Sequence, residues 1–201
     1  MEKIIKEGKE LENILEDILS ENSLEKKDLY YRYYNKKSGL FGKSNIVVEA
    51  ITKNDLLEYI KEYITELLSN MGFDVSLETK IRDDSIYVKI YSNNNAILIG
   101  KNGNTLKALE TIVKQRVNSD LKIHIYLILD VENYREKQEK RLIHLAKSLA
   151  KEVTKTKLEV HLENMNAYDR RIIHNALTNF KGIKTESEGE EPNRHIVIKP
   201  L

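Results

Sequence analysis

Apolar residues recur along the chain in two rhythms, and the alternation of those rhythms predicts the elements. Ile4-Ile5 opens a short extended piece that Gly8 breaks. Leu11, Ile14, Leu15 and Ile18 then fall at three- and four-residue spacing, one face of a helix. Leu29 to Tyr34 is rich in strand formers, and Ile46-Val47-Val48 is its returning strand across a turn at Lys36-Lys37-Ser38-Gly39-Leu40-Phe41-Gly42. The helical rhythm resumes at Leu57, Ile60, Ile64, Leu67, Leu68 and Met71, with Asn54 as its cap, Asp55 in its first turn and Gly72 as its stop. Two strand-like runs, Phe73–Thr79 and Ser85–Tyr91, flank a hairpin turn at Arg82-Asp83-Asp84. A short helix from Ala96, a glycine-bounded loop, a helix with Leu106, Leu109, Ile112, Val113 and Val117 on one side, and a strand from Leu121 to Val131 follow. A long helix carries Leu142, Leu145, Leu149 and Val153, and Leu158–Leu162 is extended. A second helix opens at Asn166 and runs through Leu177, and strands near Ile183–Glu186 and His195–Lys199 end the chain.

The pattern predicts an α+β protein of three small modules in tandem: β-α-β-β over residues 1–52, α-β-β-α-α-β over 53–131, and helices on a small sheet over 132–201. A module of about fifty residues buries only about 60% of its unfolded surface and is marginal alone. No Gly/Ser- or Pro-rich linker divides the modules, so short connections are expected.

Composition narrows the function. With 40% hydrophobic residues in 201, the chain can pack a core. It has no Cys, which excludes disulfides, a thiol nucleophile and cysteine metal sites. The start, Met1-Glu-Lys-Ile-Ile-Lys6, has no apolar signal region, and no apolar run approaches a bilayer span, so a cytoplasmic chain without a transmembrane segment is expected. The formal charge of +1 first argues against a nucleic-acid partner. By module it resolves to −1, −1 and +3, and from Ser85 to Leu109 there is no Asp or Glu at all. A phosphate backbone can approach that stretch without meeting a carboxylate.

The acid-free stretch contains Ile99-Gly100-Lys101-Asn102-Gly103, with Lys107 in the next helix. Glycines permit close backbone approach, the following helix offers free N–H groups at its positive end, and Lys101 adds a charge. The loop lacks the Gly-Lys-Ser/Thr ending of a Walker loop. In the third module Arg170 and His174 stand four apart on one helix face, suited to a phosphate. Arg194 is either a second contact or a partner of Glu186, Glu188, Glu190 and Glu191, whose turn is expected to lie away from a phosphate path. Tyr30, Tyr31, Tyr33 and Tyr34 around Arg32 are either a stacking platform or strand residues with half in the core. Five histidines, at 124, 144, 161, 174 and 195, have no metal spacing, and no nucleophile has an evident base. No metal, cofactor or enzymatic activity is expected.

The Ile-Gly-x-x-Gly loop between two helices, in α-β-β-α-α-β order, resembles a type II KH domain. That resemblance implies a loop that clamps about four nucleotides of single-stranded nucleic acid beside an apolar groove. The Arg170-x-x-x-His174 helix with the run from Thr185 to Pro200 resembles the Arg-x-x-x-His domain, a single-stranded nucleic-acid binder. The whole order resembles the bacterial Jag family, also called KhpB or EloR, with the Lys37 to Gly42 turn similar to the glycine-rich turn of its N-terminal domain. The likeness is strongest from Asp130-Val-Glu-Asn-Tyr-Arg135 onward. The turn is short here, and no long linker follows residue 52.

Membership would imply a single-stranded RNA-binding, post-transcriptional regulator tied to cell elongation and division, with single-stranded DNA as the other nucleic-acid candidate. It would also imply a small single-KH partner or self-association, and a membrane-associated protein partner. Ile99 to Gly103, Lys107, Arg170, His174 and Arg194 would face RNA. Lys37, Gly39, Leu40, Phe41 and Gly42 are the candidate protein contacts. A rival reading from the same residues is an adaptor that recruits a partner through the N-terminal module and dimerises through the KH unit.

Overall fold

The computed structural model describes residues 2–37 and 44–201, in two compact units, 1–132 and 133–201. Of the candidate protein contacts, Lys37 ends a described strand, while Gly39, Leu40, Phe41 and Gly42 lie outside the described residues.

The first unit begins with strand β1 (Ile4–Gly8), helix α1 (Leu11–Glu21) and strands β2 (Leu29–Lys37) and β3 (Ser44–Thr52). The strands form an antiparallel sheet in the order β1-β3-β2. Ile14, Leu15 and Ile18 of α1 pack on Leu29, Val48 and Ala50. The opposite face of β3 is also buried at Val47 and Ile51. Ile51 and Glu49 lie beside Leu121 and Ile123, and Lys3 Nζ donates to the Asp120 carbonyl at 2.5 Å. The central strand is therefore covered on both sides, as its near-continuous apolar run requires.

Thr52 ends β3 and caps the next helix, α2 (Lys53–Asn70), its Oγ1 accepting from Asp55 N–H at 3.1 Å. The cap is Thr52 rather than Asn54, because the extended backbone an N-cap needs is supplied by the strand end. The buried stripe of α2 is Leu56, Ile60, Ile64 and Leu68; Met71 is exposed. Hairpin β4 (Val75–Arg82) and β5 (Ser85–Ser92) turns through Asp83-Asp84, both at positive φ, as a two-residue hairpin demands. Helices α3 (Asn95–Ile99) and α4 (Asn104–Leu121) follow, and then strand β6 (Tyr126–Val131), which pairs parallel to β5 at the sheet edge. β6 is shorter than the apolar run from Leu121 predicts. Lys122 takes a left-handed conformation that ends α4, and the Asn118 side chain takes the Ile125 N–H at 2.8 Å. Ile112, expected to be buried with its helix neighbours, is exposed.

The second unit has helix α5 (Tyr134–Thr156), strand β7 (Val160–His161), helix α6 (Ala167–Leu177) and strands β8 (Ile183–Glu188) and β9 (His195–Pro200), with sheet order β7-β9-β8. Leu142, Ala146, Ala150 and Val153 of α5 pack against Ile173, Leu177, Ile196 and Ile198. Leu149 is partly buried against this cluster as expected, but Leu145 is exposed, and Ala146 and Ala150 hold the centre of the face; small side chains there let α5 and α6 approach closely. Asn166 caps α6 as expected, accepting from Asp169 N–H at 3.0 Å.

In the first sheet Arg32 stands opposite Glu49, and its Nε and Nη2 both donate to Glu49 Oε2, at 3.0 and 2.7 Å. The Arg32 hydrogen bonds hold the Glu49 carboxyl below the usual carboxylate range. A depressed pKa contributes stability that is present above the unfolded value, near 4.5, and lost as pH falls through the folded one. Glu49→Gln is expected to lower the urea midpoint at neutral pH and to flatten its fall between about pH 6 and about pH 3. Urea titrations of both chains followed by circular dichroism measure this.

Candidate nucleic-acid interface

The glycine loop lies between α3 and α4, and its backbone is built for residues without side chains. Gly100 has φ 69° and ψ −177°, a region essentially restricted to glycine. A Cβ there would stand 2.1 Å from Thr105 Oγ1. Asn102 (φ 54°) and Gly103 (φ 76°) are left-handed, so three of the four loop residues turn the chain sharply into α4. Gly103 is the N-cap of α4 and supplies no side-chain bond, and the first turn of α4 holds no acid. The positive end of an 18-residue helix is thus exposed behind the loop. Lys101 and Lys107 are exposed and make no ion pair among the described residues. Ile99 is partly buried at the end of α3.

On the two flanking helices Ile97 and Ile112 expose 57% and 49% of their surface. The first carboxylate past the acid-free stretch, Glu110, is turned to the sheet edge. Its Oε2 accepts from Leu129 N–H of β6 at 3.0 Å, and its Oε1 accepts from Lys114 at 2.8 Å. The first carboxylate after the loop in sequence is therefore held by a backbone donor and a lysine.

In the second unit the Arg-x-x-x-His face divides by burial. Arg170 is buried; its Nη1 donates to the Met165 carbonyl at 2.6 Å and its Nη2 to Glu191 Oε1 at 2.8 Å. Glu191, expected to lie away from the phosphate path, therefore reaches the Arg-x-x-x-His helix. His174 is exposed and pairs through Nδ1 with Thr185 Oγ1 at 2.7 Å. Arg194 Nε donates to Ser187 Oγ at 3.0 Å rather than to a glutamate. Thr185 and Ser187 are two apart on edge strand β8 and share a face, so His174 and Arg194 are anchored along one strip. Residue spacing found Arg170 and His174; the anchors on β8 carry no linear signal.

The tyrosine cluster is split along the strand rather than by alternation: burial fades from Leu29 outward, so Tyr33 is exposed although it shares a face with Tyr31. Tyr31 packs on the core, Tyr30 is partly buried under Lys53, and Tyr33 and Tyr34 are exposed with Arg32 over the Tyr34 ring at 5.1 Å. The expectation of no metal set among the histidines rests on linear spacing. Strand pairing instead brings His161 and His195, 34 residues apart, into contact.

A three-stranded sheet with the parallel β5–β6 pair and a glycine loop between helices defines a type II KH module, and the second unit carries an Arg-x-x-x-His helix over a small sheet. Residues 57–129 match the family model described as KhpA/KhpB, KH domain, and residues 140–200 match the R-three-H domain. RNA-binding protein KhpB of Clostridium symbiosum is 36% identical over 203 residues, covering 98% of this chain and 91% of that protein. RNA-binding protein KhpB of Bacillus subtilis (strain 168) is 35% identical over 162 residues, covering 80% and 78%. The chain belongs to the KhpB family.

Two outcomes test the geometry. Gly100→Ala is expected to cost about 1–3 kcal/mol from its backbone region alone, with Thr105→Ala recovering only the part due to the Oγ1 overlap, since the Cβ of residue 105 remains 2.8 Å away. Arg170→Ala, which leaves the Met165 carbonyl without its donor, is expected to cost the second unit about 1–3 kcal/mol, whereas His174→Ala changes stability little. Thermal and urea melts measure both.

Proposed function

We propose that this protein binds single-stranded RNA through the glycine loop of its KH module and through the His174–Arg194 strip of its second unit. The observation that carries the reading is the uncapped, acid-free N-terminus of α4 behind a loop whose first glycine has no room for a side chain. Backbone N–H groups and Lys101 would hold phosphates, and the apolar surface of Ile97 and Ile112 would receive bases. Arg170 would act by fixing the helix and loop on which His174 and Arg194 stand. Two weak modules on one chain raise overall affinity through effective concentration. The relatives' printed names, RNA-binding protein KhpB, support the same partner.

The family likeness extends the proposal to a cytoplasmic post-transcriptional regulator linked to cell elongation and division. It adds a small single-KH protein or a second copy as partner, and a membrane-associated protein as a further one. No helix among the described residues is long and apolar enough to cross a membrane.

The test is titration with single-stranded RNA at several salt concentrations. Lys101→Asp with Asn102→Asp keeps the loop conformation available, since Asp tolerates the left-handed region, yet places two acids before the helix. It is expected to abolish most binding while circular dichroism stays native. His174→Ala with Arg194→Ala is expected to weaken binding and reduce the salt slope by roughly 0.7 for each phosphate no longer neutralised. Wild type that fails to bind at low salt, or a loop variant that binds equally well, would return the chain to the adaptor reading.

A further inference from the structure

The sheet of the second unit has one face on α5 and α6; its other face carries a cluster that the RNA-binding proposal does not use. His161 stands opposite Val197, and His195 stands opposite Glu188. Residues two apart on a strand share a face, so His161, His195 and Glu188 all project to the same side. His161 Nδ1 lies 3.2 Å from His195 Nε2, and one atom from each of the three residues falls within 4.8 Å of the others.

The outer nitrogens decide what lies between the rings. His195 Nδ1 faces the Asn193 carbonyl at 3.1 Å, and His161 Nε2 faces Glu159 Oε1 at 3.2 Å. A carbonyl or an ionised carboxylate only accepts, so each outer nitrogen carries its ring's proton. In the neutral rings both inner nitrogens then present lone pairs to each other across 3.2 Å. Two facing lone pairs call for a cation. At zinc–nitrogen bonds of about 2.0–2.1 Å and a tetrahedral angle, two imidazole nitrogens sit roughly 3.3 Å apart. A carboxylate or backbone carbonyl on the far nitrogen is also the support that metal-bound histidines usually have.

We propose that His161, His195 and Glu188 form a binding site for a divalent transition metal of the zinc or copper class, for which two imidazoles and a carboxylate are suitable ligands. Glu188 also accepts from Lys199 Nζ at 2.5 Å, which orients its carboxylate along the same face. The metal would fasten β7, a strand of two residues, to β9. Leu162 N–H to the Ile196 carbonyl and Met165 N–H to the Arg194 carbonyl continue that attachment toward α6. The cation would thereby rigidify the segment whose Met165 carbonyl holds Arg170.

The test uses the untagged full chain after chelator treatment. Calorimetric titration with Zn²⁺ is expected to show one equivalent, the melting temperature to rise with Zn²⁺, and Co²⁺ to give visible d–d absorption. His161→Ala and His195→Ala are each expected to weaken Zn²⁺ binding at least tenfold and to abolish the Co²⁺ bands. Glu188→Gln is expected to weaken it less, and His144→Ala, on the exposed side of α5, not at all. Circular dichroism and RNA titration of the same variants separate loss of metal from loss of fold or of RNA binding. Absence of saturable Zn²⁺ binding, or equal binding by the double histidine variant, overturns the proposal. Ring-nitrogen NMR that finds a shared proton between the two rings, with no response to Zn²⁺, overturns it as well.

Discussion

Helices cover only one face of the two sheets β4-β5-β6 and β7-β9-β8, and that restriction organises the rest of the molecule. A small module has too few residues to bury both faces and both edges. What the helices leave open must be managed by side chains. At the edge of β6 the Glu110 carboxylate takes a backbone N–H that no strand pairs. On the face of β9 turned away from the helices, Lys199 is shared between Glu186 and Glu188, and the hydrogen bonds from Lys184 and Lys199 hold Glu186 down to about 2. Both glutamates are well exposed, so the pairs set side-chain positions more than they stabilise the fold. The sheet β1-β3-β2 avoids the restriction, because β3 is covered on both faces within the first unit. Thr52 is at once the end of that strand and the cap of α2, so no linker separates them.

The same economy places the nucleic-acid candidates where backbone, not bulk charge, makes the contact. The loop needs three positive-φ residues in a row of four, and Gly100 must also leave room for Thr105. That geometry exposes the first turn of α4 without a side-chain cap. A capped helix would spend its free N–H groups internally; an uncapped one would leave them for the outside acceptor proposed above. In the second unit Arg170 shows the opposite choice. A guanidinium committed to a carbonyl and a carboxylate is a structural post, and the exposed groups of the strip are His174 and Arg194.

Periodicity makes the helices, the α+β character and the glycine loop legible, because each depends on residues near in sequence. The departures have identifiable causes. Asn54 has the side chain of a cap, but Thr52 holds the extended backbone the cap position requires. Leu145 has the spacing of a core face on α5 yet is exposed, because close packing against α6 centres the face on Ala146 and Ala150. Ile112 fits the apolar rhythm of α4 yet points outward, on a helix beside the loop. Glu191 and Thr185 reach α6 from 21 and 11 residues away, and His161 meets His195 only because β7 and β9 pair. Side-chain partners brought together by sheet topology leave no spacing to read.

Charge is the clearest case of a total that misleads. The formal sum of +1 describes a chain in which many lysines are held by local acids: Lys36 by Glu7, Lys61 by Glu58, Lys140 by Glu136 and Lys199 by two glutamates. Such pairs are worth little to stability at the surface, but each cancels a charge that would otherwise attract any polyanion. Lys101 and Lys107 stand outside these pairs, beside a helix end that is itself positive. On the proposed reading, a phosphate that approaches at random would meet a nearly neutral surface, whereas one seated on the loop would meet a lysine and several backbone donors together. Selectivity for a seated strand over a passing one would then follow from where the ion pairs are closed.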